Sequence, residues 1–244
     1  GWDVKALMKL MVMSATYRQH SKTSKKLRER DPHNILLARG PTVRLSSEML
    51  RDNALSASGL LNRKIGGKSV KPYQPAGLWV MNSSKYVRDT GDKLYRRSLY
   101  TFWKRTVPHP TLSTFDQPER SECTVRRQKT NTPLQALVLL NDPAFVEACR
   151  VMGETITKHA SPEAGIKNIY TKLTAQELKP QELEVLLKLQ KAEYEKFKQH
   201  PEKSIGWLNT GEYRVNVSLD QALVAANTVV ASTILNSDAS ITKR

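Results

Sequence analysis

A mainly α-helical domain with a long, loop-rich basic segment is the fold class this sequence predicts, with room for one short strand pair. Three observations predict it. Apolar residues recur at helical spacing through the second half of the chain. Capping residues stand directly before proline at Thr132-Pro133, Asp142-Pro143 and Ser161-Pro162. There a side-chain oxygen satisfies free backbone N–H groups, and proline at the first helical position forfeits no useful donor. Finally, the basic residues are concentrated before the first of these starts. Residues 1–132 hold 26 Lys/Arg against 10 Asp/Glu, and residues 133–244 hold 13 of each. The division predicts a basic, loop-rich part (1–132) and a neutral helical part (133–244), packed together as one domain. A chain of 244 residues is long enough for a sizeable core.

Residues 3–17 predict an amphipathic helix. Val4, Leu7, Met8, Met11, Val12 and Ala15 share a face, Asp3 can cap the start, and the methionines read as core packing rather than a cofactor or metal face. Residues 18–44, with eight basic and two acidic side chains, predict a surface loop. Ser46 or Ser47 caps a second helix reaching about Leu61, with Leu50, Ala54, Ala57 and Leu61 on one stripe. Residues 68–93 are punctuated by Pro72, Pro75 and Gly77 and predict loop. Residues 95–105 carry strand and helix signals together; the helix is taken, stopped by Pro108-His109-Pro110. A polar loop over 115–131 precedes helices at 133–140, 143–159, 162–173, 180–199 and 219–235. Residues 207–217 predict a loop or the strand pair. No apolar run approaches the length that crosses a bilayer.

The net charge of +16 excludes nothing about fold, but its concentration in residues 1–132 predicts an anionic partner there or a merely solvated basic surface. The sharpest constellation is Asp116, Glu119, Arg120, Glu122, Cys123, Arg126, Arg127, Lys129, Thr130 and Asn131. Three acids and four bases in 16 residues make either a site or an ion-pair network that pins a loop. Arginine forks suit carboxylate, phosphate or sulfate. Upstream, eight of the chain's 16 aromatics fall within residues 73–115, interleaved with Arg96, Arg97, Lys104 and Arg105. That pattern suits an anionic sugar polymer or single-stranded nucleic acid, or a local aromatic core with cations turned outward. Ligand-binding candidates are therefore Arg96, Arg97, Trp103, Arg120, Arg126, Arg127 and Asn131. Asp116 and Glu119, with His109, are the acid/base candidates should the chain be an enzyme. The five histidines form no ligand-spaced pair, so no metal site is expected. Cys123 and Cys149 read as two free thiols, with a bridge as the alternative. No phosphate loop, dinucleotide fingerprint or nucleophile elbow occurs.

Several ordered blocks resemble one family: 14–18 (Ser-Ala-Thr-Tyr-Arg), 69–75 (Ser-Val-Lys-Pro-Tyr-Gln-Pro), 95–105 (Tyr-Arg-Arg-Ser-Leu-Tyr-Thr-Phe-Trp-Lys-Arg), 115–123 (Phe-Asp-Gln-Pro-Glu-Arg-Ser-Glu-Cys) and 123–145. Together they resemble the planctomycete cytochrome-C-associated PSD domain, domain-of-unknown-function family fifteen-fifty-three. Val80 and Ala239 stand where that family carries acids. The resemblance implies the C-terminal part of a larger exported protein, periplasmic or at the cell surface, with a haem c domain upstream. This chain has no Cys-x-x-Cys-His of its own, so no cofactor is expected in it. The resulting expectation is a non-catalytic helical module that binds an anionic glycan or docks neighbouring domains of its parent. A polysaccharide-degrading enzyme using Asp116 and Glu119 is the alternative, and nucleic-acid binding a less favoured third.

Overall fold

The computed structural model describes residues 1–80 and 85–243. Of the loop expected over 68–93, residues 81–84 lie outside that description. The described residues form eleven α-helices and one two-stranded antiparallel sheet, so the mainly α class is the observed one. They cluster in two units, residues 1–44 with Thr242 and Lys243, and residues 45–241.

In the first unit, α1 (Val4–Met13) starts where the Asp3 carboxylate accepts from the Ala6 N–H at 2.9 Å. It ends at Ser14, whose hydroxyl donates back to the Met11 carbonyl. The expectation that its methionines pack in a core is corrected: α1 buries no residue. A short α2 (Lys25–Arg30), capped by Ser24 onto the Leu27 N–H, interrupts the stretch expected to be loop. The sheet is β1 (Val43–Arg44) against β2 (Thr242–Lys243), with Val43 opposite Lys243 and Arg44 opposite Thr242. The strand pair is therefore here and not within 207–217.

The second unit is built around α6. In chain order it comprises α3 (Ser47–Ser58), α4 (Pro110–Thr114), α5 (Pro133–Asn141), α6 (Pro143–Lys158), α7 (Pro162–Thr174), α8 (Pro180–Gln199), α9 (Ile205–Leu208), α10 (Gln221–Leu235) and α11 (Asp238–Ile241). The starts that the caps predict are observed at Ser46, Thr132, Asp142 and Ser161, each accepting from a first-turn N–H, whereas α10 starts two residues after the expected 219, capped by Asp220. Thr132 and Gln135 complete a reciprocal capping box.

Twelve of the 16 residues of α6 are buried, because helices cover it on several sides. Its contact with α10 is backbone to backbone: a Cβ at Gly153 would lie 2.8 Å from the Thr228 nitrogen and 2.9 Å from the Val224 carbonyl. Ala225 and Ala231, close to Thr228 around α10 and fully buried, keep that side of the helix equally low. Phe145, Met152, Ile166, Ile169 and Ile234 share one apolar cluster with Leu50, Leu55, Leu94, Tyr95 and Phe115. Residues from both sides of the charge division thus meet in a single core.

Residues 95–105 do not form the expected helix. Two 3-10 turns, Gly91–Tyr95 and Ser98–Tyr100, lead into an extended stretch that exchanges backbone bonds with Val70. The reason lies on α3. Arg51, buried there, donates to the Leu94 and Arg96 carbonyls and the Ser98 hydroxyl, and Asp52 accepts from the Ser98 N–H. Those carbonyls are taken by a tertiary partner instead of a helical ladder.

Candidate functional site

The loop expected to carry the site begins where α4 ends. Asp116 there has a left-handed backbone, φ +60°. Its carboxylate accepts from the Thr130 N–H at 2.7 Å and the Thr130 hydroxyl at 2.9 Å. Gln135 donates from the first turn of α5 to the same hydroxyl and to the Thr114 carbonyl. The two ends of the loop are so tied together.

A second tie reaches α3. Arg127 makes a forked pair with Glu48, at 2.7 and 3.0 Å, and Gln117 donates to the same carboxylate at 3.2 Å. Burial alone raises the Glu48 carboxyl, but the Arg127 bonds and charge, together with its own backbone N–H and the Ser47 hydroxyl, more than offset it and hold it at about 2. Among the sequence candidates, then, Asp116 and Arg127 are engaged in holding the loop. Arg96 is likewise engaged. It is buried, donates to the carbonyls of Lys64, Gly66 and Lys68, and stacks over Tyr100.

The other candidates lie at the surface. Arg97, Glu119, Arg120, Cys123, Arg126 and Asn131 are exposed. Trp103 is half-buried, with its indole N–H donated to the Glu119 carbonyl at 3.1 Å. The Arg120 guanidinium sits 4.9 Å from the centre of the Trp103 ring. Arg120 itself is left-handed, φ +60°. Among the described residues, Arg97, Arg120 and Arg126 form no salt bridge. The structure therefore brings Arg120 and Trp103 together, and turns the Asp116 carboxylate to Thr130.

The remaining aromatics pack on each other. Trp79 meets Tyr86 edge-on at 5.1 Å and Phe102 at 5.8 Å. Lys71 and Lys104 stand 5.2 and 4.4 Å from the Trp79 ring. This is the arrangement of a local core faced by cations.

A cleft of about 490 Å³, absent from the sequence candidates, opens between Tyr73, Arg88, Thr111, Leu137, Asn141 and Asp142. That is the size of a small-molecule pocket. Asp142 caps α6 through the Ala144 N–H and also accepts from the Thr111 hydroxyl. Burial raises its carboxyl above the usual range. His109, whose ring bonds the Tyr73 carbonyl at 2.9 Å, is buried; burial and the nearby Arg51 charge push it down to about 4 and keep it neutral. No local signal joins residues 73–75, 110–114 and 137–143; only tertiary packing does.

Beneath these features lies a buried polar layer on α6. The Glu147 carboxylate accepts from the Tyr95 hydroxyl at 2.9 Å and the Tyr213 N–H at 2.6 Å. Arg150 donates to Glu154 and to the Tyr213 carbonyl, both at 2.6 Å. Gly211, at φ +93°, lets the chain pass so close that a Cβ would fall 2.2 Å from the Glu147 carboxyl carbon. The layer holds the irregular segment 209–216 against the helix.

Among the described residues, no group of three or more His, Cys, Asp or Glu is placed to hold a metal ion. The two cysteines are free, Cys123 exposed and Cys149 buried. Within the described residues no helix is long and apolar enough to cross a membrane. A family model described as PSD1, protein of unknown function (DUF1553), matches residues 1–190. No curated protein and no solved structure matches the chain.

Proposed function

This chain belongs to the PSD1 (DUF1553) family, and from that premise we propose that it is a non-catalytic helical module that binds an anionic polysaccharide. Its parent would be an exported, multidomain planctomycete protein with a c-type cytochrome domain upstream. The observation that carries the reading is the Trp103–Arg120 stack, an indole held by its N–H and faced by an exposed guanidinium with no acid partner among the described residues. A planar ring with a fixed cation suits a sugar carrying sulfate or carboxylate. Arg97 and Arg126, exposed and without ion pairs among the described residues, add positive potential to the same unit. The pinning of the loop through Asp116 and Glu48 supports a preorganised surface, which lowers the ordering cost of binding.

The acid/base alternative has less support, because the Asp116 oxygens accept from Thr130 and Glu119 stands exposed. The test is binding of the purified chain to sulfated, carboxylated and neutral polysaccharides and to single-stranded DNA, at low and physiological salt. Salt-resistant binding to one acidic polymer, lost in Arg120→Ala/Trp103→Ala, supports the reading. Equal binding to every polyanion that vanishes with salt reduces it to bare electrostatics, or to the docking of a neighbouring domain.

A further inference from the structure

Residues 1–44 leave two separate apolar features facing solvent. The first is α1. Trp2, just before it, is 100% exposed, and Leu7 and Met8 are 56% and 59% exposed. Around this helix Val4, Leu7, Met8 and Met11 form one side, and Leu10 and Met13 extend the apolar surface round the rest. Only Lys5 and Lys9, one turn apart, interrupt it, and the helix contains no acid. A helix so nearly apolar all round is one that something covers.

The second feature is a loop tip. Ile35, Leu36 and Leu37 are consecutive and exposed, Ile35 at 79%. Three exposed apolar residues in a row are unexpected in a surface loop without a function. Nor is the tip loose. The buried Asp31 carboxylate accepts from the Ile35 and Leu36 N–H groups at 2.8 Å each, and Asn34 exchanges bonds with the Arg39 backbone. Its backbone is fixed with the side chains turned outward.

Both features sit in a strongly basic stretch. Residues 1–44 hold ten Lys/Arg and three Asp/Glu. Two of those acids are already engaged, Asp3 as the cap of α1 and Asp31 inside the loop. We propose that this unit docks on an anionic phospholipid surface, with α1 lying in the plane of the interface and the 35–37 tip inserting as a second apolar contact. Apolar contact and negative charge are needed together, and an anionic bilayer surface offers both without a shaped groove. Trp2 and Tyr17, exposed before and after α1, suit the headgroup level, where amphipathic rings settle. Lys5 and Lys9 can extend their stems over the apolar surface and keep their ammonium groups among the headgroups. The protein would lie on the bilayer, not span it. This reading is independent of the polysaccharide proposal, which concerns residues 97–126.

The experiment is co-sedimentation of the full chain with vesicles of phosphatidylcholine alone, and of phosphatidylcholine mixed with phosphatidylglycerol, at low and physiological salt. Binding to the mixed vesicles and little to phosphatidylcholine is expected. Lys5→Glu/Lys9→Glu should weaken it by at least about fivefold per lysine. Leu7→Asp/Met11→Asp and Ile35→Asp/Leu36→Asp should each weaken it by roughly tenfold or more. These side chains are exposed, so circular dichroism and the thermal midpoint should not move. Arg120→Ala/Arg126→Ala should leave vesicle binding unchanged. The proposal fails if the chain ignores the mixed vesicles, or if binding survives both apolar double variants. It fails equally if those variants dissolve a dimer in a chain that never binds lipid, which would make a second copy the occupant.

Discussion

Replacing Arg150 by methionine tests the polar layer on α6. Its side chain is 0% exposed, and Glu154 four residues on is 5% exposed. Methionine fills a similar volume but removes both donations, one to Glu154 and one to the Tyr213 carbonyl. Among the described residues, Glu154 would keep only the long 3.3 Å bond from the Asn216 N–H. Glu147, two turns before Glu154 and also fully buried, would then share its helix face with a second carboxylate and no cation among the described residues. Breaking a buried pair by removing one partner costs about 3 to 5 kcal/mol, because the abandoned charge stays desolvated. At about 2 to 4 °C per kcal/mol for a domain of this size, the midpoint should fall by roughly 10 °C.

Urea unfolding of Arg150→Met, Glu154→Gln and the double variant separates the causes. If the cost is the orphaned charge, Arg150→Met/Glu154→Gln should recover about 2 kcal/mol relative to the sum of the singles. Hydrogen exchange should show the amides of 211–216 losing protection in Arg150→Met before the rest of the unit. A loss below about 1 kcal/mol in Arg150→Met, or strict additivity in the double variant, refutes the reasoning. The pair would then contribute no more than a solvated surface contact.

Other perturbations follow from the same geometry. Gly153→Ala should cost about 1 to 3 kcal/mol or more by forcing α6 and α10 apart, and a calorimetric midpoint checks it. His109 is held at about 4 against an ordinary 6.5, so its neutral form favours the fold fully above 6.5. That contribution is lost as pH falls through about 4, with up to roughly 3 kcal/mol at stake, and His109→Gln should flatten the urea midpoint across this window. Glu48 is also lowered, so its contribution stands above 4.5 and disappears as pH falls through about 2. Because Arg127 is partly exposed, Arg127→Ala should cost only about 1 kcal/mol at neutral pH, and nothing in acid below that range. Finally, a thiol reagent should modify Cys123 in the folded chain and reach Cys149, pushed up to about 12 by burial, only in denaturant.

Most of the helices were legible because their starts are local chemistry. A threonine or aspartate before proline specifies a helix start with no help from the rest of the fold, and Thr132, Asp142 and Ser161 each cap as their neighbours imply. The failures have one cause in common. Residues 95–105 carry helical spacing, but Arg51, more than forty residues away in sequence, takes the Leu94 and Arg96 carbonyls where such a helix would start. α1 carries a core-like apolar pattern, yet no described residue buries it. Spacing shows that a face is apolar; it does not show what lies opposite.

The same reasoning explains why the candidate site was only partly legible. Arg96 and Arg97 are neighbours with identical chemistry, yet one is buried among three carbonyls and the other is exposed. Arg126 and Arg127 divide in the same way, since only Arg127 reaches Glu48. An arginine becomes structural when unpaired acceptors surround it, and acceptors are created by turns such as 64–68 that leave carbonyls outside any ladder. The loop-rich basic segment therefore supplies both the cations and many of the acceptors that draw some of them inward. What stays outside is the surplus, and in this chain it includes Arg97, Arg120 and Arg126. The proposed polyanion binding should follow this split. Arg97→Ala and Arg126→Ala should weaken polyanion binding while leaving the thermal midpoint in place, whereas Arg96→Ala should lower the midpoint before it touches affinity.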